Sequence, residues 1–350
     1  MRKYKFYINS EAAWTAMLDA IKRAGHSIYW EIYIFNNDTR LTHDFIAALE
    51  AKASAGVSVK IVADGFGSLW FNRATQEKLR AAGAEVIFYN HILYRTHRKI
   101  LIVDEKIAFI GGVNIGDEYR KWTDLHMRIT GSATKPLLRS VARFYELCGG
   151  KDTRILAYAH ASPLRQRLRK THMRILEHWP NLGQPTFPKE YRELIDEANS
   201  KIVIVTPYFI PPRWLSSALR AARGRNVSID IVLPLHTDPR YINVFHRIFA
   251  RELASTGITF HFSSDMIHAK ALVIDEERAI VGSQNTDPVS FGVTMEVGVL
   301  FSDKKMLRDL NRIISLWKKS ATIFNDDIYA ERWYYPLARA FARLLTPIIL

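Results

Sequence analysis

Two stretches of this chain repeat one chemically active pattern: a histidine, a lysine two residues later, and an aspartate five residues after the lysine. The two copies are His97, Lys99 and Asp104, and His268, Lys270 and Asp275. On an extended backbone, residues two apart point to the same side, so each copy presents an imidazole beside an ammonium group. An imidazole can act as a nucleophile or a general acid near neutral pH. The pattern therefore indicates chemistry on an anionic group.

The agreement between the two copies extends beyond these residues. A glycine follows each histidine by fourteen positions, an asparagine follows it by seventeen, and a carboxylate then opens an apolar run. These residues are Gly111, Asn114 and Asp124 in the first half, and Gly282, Asn285 and Glu296 in the second half. A single H-x-K could occur by chance, but this set of matched offsets predicts a duplicated catalytic unit.

Two such units facing each other would surround a phosphate group. Lys99, Lys270, Asn114 and Asn285 would bind and neutralise its oxygens, as phosphoryl transfer requires. One imidazole could attack phosphorus while the other protonates the leaving oxygen. The carboxylates of the two units would each hold an imidazole through Nδ1–H and leave Nε2 for the chemistry.

The two halves differ at one position and in one offset. Gly112 in the first half corresponds to Ser283 in the second, whose hydroxyl could orient an imidazole or a carboxylate. Asp124 lies 27 residues past its histidine, whereas Glu296 lies 28 residues past its own. The equivalence of these two carboxylates therefore requires a one-residue insertion in the second half.

The role of the pattern's aspartates is open. Asp104 and Asp275 belong to the catalytic pattern, but each also closes a buried strand and could form a structural ion pair instead. Tyr33 and Tyr208 stand at equivalent ends of the opening strands, where they either line the cleft or pack in the core.

Strands and helices alternate in both halves, which predicts an α/β fold with a mixed sheet. Each half opens strand–helix–strand and then reaches another strand before its histidine. The predicted elements are residues 27–35, 41–55, 57–63 and 85–89, and residues 201–209, 213–223, 227–233 and 258–262. We expect two pseudo-symmetric units, each a mixed sheet flanked by helices, that share one central active site at the carboxyl ends of the strands.

The chain is expected to divide into residues 1–155 and 189–330 as the two units, 156–188 as a basic linker, and 331–350 as an amphipathic C-terminal segment. In the linker, Leu164, Leu168, Ile175 and Trp179 fall on one face of a helix. This stretch could grip anionic phospholipid or pack its apolar stripe on the sheet. The aromatic and apolar segment 333–350 suits a helix at a membrane interface, or a terminal helix packing on the core or dimerising.

Composition narrows the class of partner. The formal net charge of +14 implies nucleic acid or anionic lipid headgroups as partners, or only a basic surface that aids solubility. Cys148 is the single cysteine, which excludes an internal disulfide framework and fits a reducing compartment. We expect no signal peptide and no spanning helix, because no apolar run reaches about 18 residues.

The paired H-x-K-x4-D-x6-G-[GS]-x-N patterns resemble those of the phospholipase D superfamily. This resemblance implies phosphodiester exchange through a covalent phosphohistidine, with no metal and no other cofactor. It also implies that His97 is the nucleophile and His268 the acid and base. Residues 96–100, 108–115 and 282–291, with Met295 and Glu296, are similar to the bacterial cardiolipin synthase branch. The resemblance extends from about Ile28 to the C-terminus.

The narrower resemblance implies phosphatidyl transfer between two phosphatidylglycerol molecules, which gives cardiolipin and glycerol. The expected partners are anionic phospholipids (phosphatidylglycerol and cardiolipin) and a membrane surface, with no nucleic acid, at the cytoplasmic face of the bacterial inner membrane. A phospholipase D or a nuclease that hydrolyses the same bond is the alternative enzyme, and a non-catalytic lipid-binding module is the third possibility. The acceptor alcohol and the oligomeric state stay open.

Overall fold

The computed structural model describes residues 4–161 and 172–325, together with Pro336, Leu337 and Ala340. The chain divides into two compact units, Met1–Thr171 and His172–Leu350. The rest of the expected membrane segment 331–350, and residues 162–171 of the expected basic linker, lie outside the described residues. Within the described part of the chain, no helix has both the length and the apolar character needed to cross a bilayer.

The first unit contains one mixed sheet with helices packed against it. Its strands are β1 (Tyr4–Asn9), β2 (Ser27–Ile32), β3 (Ser58–Asp64), β4 (Glu85–Tyr89), β5 (Arg95–Thr96), β6 (Ile100–Val103), β7 (Ile107–Gly111) and β8 (Thr123–Thr130). Its helices are α1 (Ser10–Arg23), α2 (Phe45–Ser54), α3 (Arg73–Ala81), α4 (Lys135–Leu147) and α5 (Thr153–Ala159). The sheet order is β1-β8-β7-β6-β2-β3-β4, in which β2, β3 and β4 are parallel and the other pairs are antiparallel.

The second unit repeats this topology. Its strands are β9 (Met173–His178), β10 (Lys201–Val205), β11 (Ser228–Pro234), β12 (Thr259–Ser263), β13 (Ala271–Ile274), β14 (Arg278–Gly282), β15 (Thr294–Phe301) and β16 (Thr322–Ile323). Its helices are α6 (Thr186–Asp196), α7 (Arg213–Gly224), α8 (Ile242–Ala254), α9 (Pro288–Gly292) and α10 (Lys304–Ser320). The order β9-β15-β14-β13-β10-β11-β12 matches that of the first unit strand for strand, and β16 extends the edge. The predicted mixed α/β units are confirmed.

Two local predictions need correction. The stretch expected to form one helix from Leu164 to Trp179 contains strand β9, which pairs antiparallel with β15 along its whole length. Backbone pairing to a neighbouring strand overrides the helical spacing of the apolar residues here. The helix expected over residues 41–55 begins only at Phe45, because the Asp44 side chain caps it by accepting a hydrogen bond from the Ala47 amide at 2.8 Å.

The two cores differ at one pair of positions beside the candidate site. In the first unit, Arg98 and Glu31 are both fully buried, and Arg98 Nε donates to Glu31 Oε2 at 2.8 Å. Arg98 also donates to Ser140 Oγ at 2.6 Å. Glu31 lies opposite Ile100, three residues past His97. Val205 lies opposite Ala271, three residues past His268. The second unit therefore has Val205 and Ala269 where the first has a buried ion pair.

The buried ion pair leads to a prediction about the free energy of unfolding. Glu31→Leu alone should lower the free energy of unfolding by about 3–5 kcal/mol, because it leaves the buried Arg98 guanidinium without its carboxylate. The double variant Glu31→Leu/Arg98→Met should recover most of that loss, since the second unit tolerates apolar residues at both positions. Urea denaturation of the two variants measures this, and a double variant as unstable as the single one would contradict it.

Candidate active site

Each candidate histidine lies in the short connection that enters the central antiparallel strand of its unit. His97 precedes β6 and His268 precedes β13, and both side chains are buried. Lys99 Nζ donates to the His97 carbonyl at 2.7 Å, and Lys270 Nζ donates to the His268 carbonyl at 2.5 Å. The same hydrogen bond thus holds each buried ammonium group next to its histidine, at equivalent places in the two units.

An aromatic ring accompanies the histidine of the first unit. The Tyr33 ring meets the His97 ring edge-on at 4.8 Å between centroids. Lys99 Nζ lies 5.0 Å from the centre of the same Tyr33 ring, within the range of a cation–π contact. In the second unit, the Tyr208 hydroxyl donates to the Asp238 carbonyl at 2.6 Å. Tyr33 is thus in contact with both members of the candidate catalytic pair of its unit.

Asp64 positions the approach to His97, and the sequence analysis did not single it out. Its Oδ1 accepts hydrogen bonds from the amides of Phe66 and Gly67, and its Oδ2 accepts one from the Thr96 amide at 2.9 Å. Burial raises the pKa of this carboxyl, although the amide donors oppose the shift. An aspartate followed by glycine at the end of an apolar strand is a turn signal that could have revealed it.

The structure establishes that Asp124 and Glu296 occupy equivalent positions. The Gly112 amide donates to the Leu125 carbonyl, and the Ser283 amide donates to the Val297 carbonyl. Asp124 immediately precedes Leu125, and Glu296 immediately precedes Val297. The extra residue of the second unit falls in the preceding connection, which contains helix α9.

Three hydroxyl groups surround the Glu296 carboxylate. Ser290 Oγ and Thr294 Oγ1 each donate to Glu296 Oε1 at 2.9 Å, and Ser283 Oγ donates to Glu296 Oε2. Ser283 Oγ also accepts a hydrogen bond from the Val297 amide at 3.0 Å. Glu296 is fully buried, so these donors compensate for the loss of water around its charge.

The Gly112–Ser283 difference follows from the carboxylate next to it. Asp124 Oδ1 accepts a hydrogen bond from the Leu125 amide at 2.7 Å, which is the role that Ser283 Oγ plays in the second unit. A Cβ atom on Gly112 would lie 2.2 Å from this same oxygen. The Asp124 carboxylate of the first unit therefore occupies the space that the Ser283 hydroxyl occupies in the second unit. The glycine–serine difference and the aspartate–glutamate difference compensate each other.

The glycine of each unit ends strand β7 or β14, and the asparagine lies in the turn that follows. Gly111 has a φ of +153°, and a Cβ atom there would lie 2.3 Å from the Leu125 carbonyl oxygen. Asn114 and Asn285 are both buried, and the Oδ1 atom of each has no hydrogen-bond partner among the described residues. Their binding of phosphate stays a prediction.

The structure places Asp104 and Asp275 away from the histidines of their units. Each lies beyond the far end of its strand, β6 or β13, from the histidine. The Asp104 carboxylate accepts hydrogen bonds from the amides of residues 25–27, at 2.7–3.1 Å. Asp275 does the same for the amides of residues 199–201. Partial burial acts to raise the pKa of both carboxyls, but the amide donors outweigh it and lower the pKa. The partners are amides rather than the cations expected for an ion pair, and we propose that both aspartates have a structural role.

Two further buried imidazoles, His126 and His178, accept hydrogen bonds from the backbone. Burial lowers the pKa of His126 to about 4 and that of His178 to about 4. The Val113 amide donates to His126 Nδ1 at 3.4 Å, and the Phe187 amide donates to His178 Nδ1 at 3.3 Å. Both rings are therefore neutral hydrogen-bond acceptors that support the backbone.

Two mixed sheets of identical topology, each with a buried histidine–lysine loop, an asparagine and a buried carboxylate, define the phospholipase D class. The family model described as "Cardiolipin synthase, PLD-like domain" matches residues 17–132 and 191–317. These matches cover more than half of the chain, and the chain belongs to this family.

Known proteins agree with this assignment. The chain is 28% identical to a cardiolipin synthase of Halalkalibacterium halodurans, over 94% of this chain and 69% of that protein. It is 29% identical to a cardiolipin synthase of Clostridium perfringens, over 98% of this chain and 76% of that protein. The crystal structure of phosphatidylserine synthase from Haemophilus influenzae matches with a TM-score of 0.79 at 16% identity, over 99% of this chain and 95% of that one, and supports the fold.

The structural role of the aspartates can be tested by removing their charge. Asp104→Asn and Asp275→Asn should each lower the free energy of unfolding by roughly 1.5–3 kcal/mol, because hydrogen bonds to a charged acceptor are lost. Asparagine tolerates the positive φ of both sites, so the backbone stays compatible. Turnover at a temperature where each variant is folded should change little. A large fall in turnover with unchanged stability would restore the catalytic role.

The compensation between Gly112 and Asp124 predicts a coupled pair. Gly112→Ser alone should displace the Asp124 carboxylate and lower kcat, because no space exists for the added Cβ. Gly112→Ser/Asp124→Glu, which copies the second unit, should recover a substantial part of kcat. A double-mutant cycle measures the coupling, and additive effects of the two changes would show that the carboxylates are held independently of these positions.

Proposed function

We propose that this enzyme is a phosphatidyltransferase that makes cardiolipin and glycerol from two phosphatidylglycerol molecules through a covalent phosphohistidine. The observation that carries the proposal is the duplicated set: a histidine and lysine in one loop and a buried carboxylate at equivalent positions of both units. Membership in the cardiolipin synthase family supports the substrate. The proposal requires both histidines to act on one phosphorus atom.

In the first step, neutral His97 attacks the phosphorus of the first phosphatidylglycerol through Nε2. The P–N bond forms, and the P–O bond to the glycerol headgroup breaks. His268, in its protonated form, gives its proton to the departing oxygen, so glycerol leaves as a neutral alcohol. The phosphatidyl group is then bound to His97.

In the second step, a headgroup hydroxyl of another phosphatidylglycerol attacks the same phosphorus. The neutral His268 takes the hydroxyl proton, the new P–O bond forms, and the P–N bond to His97 breaks. Cardiolipin is released, and both histidines return to their starting protonation states.

The other buried groups serve these steps. Lys99 and Lys270 neutralise the charge that develops on the phosphate oxygens, with Asn114 and Asn285 as amide donors. Asp124 and Glu296 each fix one imidazole so that its other nitrogen faces the substrate, and Ser283 holds Glu296 in place. Exclusion of water favours the lipid hydroxyl as the acceptor over hydrolysis.

The substrate defines where the enzyme works. Its partners are anionic phospholipids in a membrane surface, which the net charge of +14 favours electrostatically. We place it at the cytoplasmic face of the bacterial inner membrane.

Trapping the intermediate tests the mechanism. Purified enzyme is mixed with phosphatidylglycerol in the presence of EDTA, quenched during turnover with denaturant, and mapped by peptide mass spectrometry. We expect turnover to persist and the phosphatidyl group to be found on His97. His97→Ala and His268→Ala should each reduce turnover by roughly 10⁴-fold or more, whereas His160→Ala, at an exposed histidine, serves as the matched control.

Three results would each change the proposal. A label on His268 would reverse the roles of the two histidines. An active enzyme without any label would exclude the covalent route. Loss of turnover in EDTA that is restored by a divalent metal would exclude charge stabilisation by lysine and asparagine alone.

A further inference from the structure

Exposed apolar side chains of the first unit are concentrated at one edge of its sheet. The parallel strands β2, β3 and β4 end at this edge, and three loops follow them: residues 33–44, 65–72 and 90–94. We call the large exposed apolar side chains of these loops the apolar rim: Leu41, Phe66, Leu69, Trp70, Ile92 and Leu93. Elsewhere in the described part of this unit, only Ile8 and Leu147 are large, apolar and exposed.

The members of the apolar rim are unusually open to solvent. Trp70 is 75% exposed, Ile92 is 91% exposed and Leu41 is fully exposed. Exposure of so many large apolar groups in neighbouring loops is unfavourable in water unless another apolar phase covers them, and contiguous patches of this kind mark interaction surfaces.

The apolar rim is fixed to the candidate site rather than to a separate lobe. Asp64 binds the amides of Phe66 and Gly67 at the start of the second loop and the Thr96 amide next to His97. Ser68 Oγ donates to the carbonyl of Tyr33 at 2.8 Å, and the Tyr33 ring contacts His97. A surface that binds the apolar rim therefore lies next to the His97 side of the first unit.

Basic groups flank the apolar side chains. The Arg95 guanidinium lies 5.0 Å from the centre of the Phe66 ring. Arg73, which opens helix α3 directly after the second loop, has an 89% exposed side chain that pairs with Glu77 at 2.7 Å, and Arg40 lies beside Leu41. Exposed aromatic and aliphatic side chains with arginines next to them match the interface of a bilayer, where apolar groups enter the acyl region and cations meet phosphates.

The corresponding loops of the second unit do not have this set of exposed apolar side chains. The loops that follow β10, β11 and β12 cover residues 206–212, 235–241 and 264–268. Among the large apolar side chains in these loops, only Tyr241 is exposed. The apolar rim is specific to the first unit although the topology of the two units is the same.

We propose that the apolar rim inserts into the interface of an anionic phospholipid bilayer and docks the enzyme with its His97 side against the lipid headgroups. The inference rests on the proposed function, which makes membrane lipid the substrate, and it deepens that function by assigning the surface that meets the lipid.

Vesicle binding of matched variants tests the proposal. The rim variant carries Leu69→Ser, Trp70→Ser, Ile92→Ser and Leu93→Ser. The control variant carries serine at exposed apolar residues away from the rim: Leu147, Leu316 and Ile323. Both keep the full chain. Sedimentation with phosphatidylglycerol vesicles should show binding at least tenfold weaker for the rim variant and within about twofold of the parent for the control.

Two further measurements separate docking from other roles. Turnover of a short-chain, monomeric phosphatidylglycerol should stay within about twofold of the parent in the rim variant, because docking is not needed there. Phospholipids brominated in the acyl chains should quench tryptophan fluorescence of the parent, and Trp70→Phe should remove part of that quenching.

Several outcomes would overturn the proposal. Vesicle binding by the rim variant equal to that of the parent is one, and equal weakening in the rim and control variants is another. A parent dimer that the rim variant converts to a monomer, with vesicle binding unchanged, would make the rim a contact between two copies of the chain. Vesicle binding is read from sedimentation and not from product formation, so failure of the phosphatidyl transfer itself would leave the docking result intact.

Discussion

The site depends on charged groups that are held almost entirely out of water. A buried ion is tolerated only where fixed partners replace its hydration, and each such group here has partners in its own unit. Each lysine is tied to the carbonyl of its own histidine. Glu296 is held by three hydroxyls, and Asp124 is held by the Leu125 amide. These bonds set the places of the chemical groups before any substrate arrives, which is the preorganisation that phosphoryl transfer needs.

The two units have the same kinds of catalytic groups, whereas the residues that hold these groups in place differ. The glycine–aspartate pair of the first unit and the serine–glutamate pair of the second deliver a carboxylate to the same position by different packing. The buried Glu31–Arg98 pair of the first unit has apolar residues as its counterpart in the second. The apolar rim is likewise confined to the first unit. We infer that the first unit carries the added task of meeting lipid, while the second mainly completes the chemistry.

The two units and the alternation of their strands and helices follow from patterns that are local in sequence. Buried runs such as Ile100–Val103 and Ala271–Ile274 between turn residues identify the central strands, and the repeated offsets identify the duplication. Other features depend on partners far along the chain and have no local signal. The Asp104 carboxylate binds amides 77–79 residues away, so its structural role appears only in the fold. Strand β9 exists because β15 supplies its hydrogen bonds, whereas its own apolar spacing favours a helix. The meeting of the two histidines at one phosphorus atom remains a prediction from the duplicated pattern.

The central claim is that the enzyme transfers a phosphatidyl group to a lipid alcohol rather than to water. Mass spectrometry of the products formed by the purified chain from phosphatidylglycerol in vesicles tests this claim most directly. The account predicts cardiolipin and glycerol in equal amounts, with little phosphatidic acid. Phosphatidic acid and glycerol as the main products, without cardiolipin, would contradict it and identify the enzyme as a hydrolase.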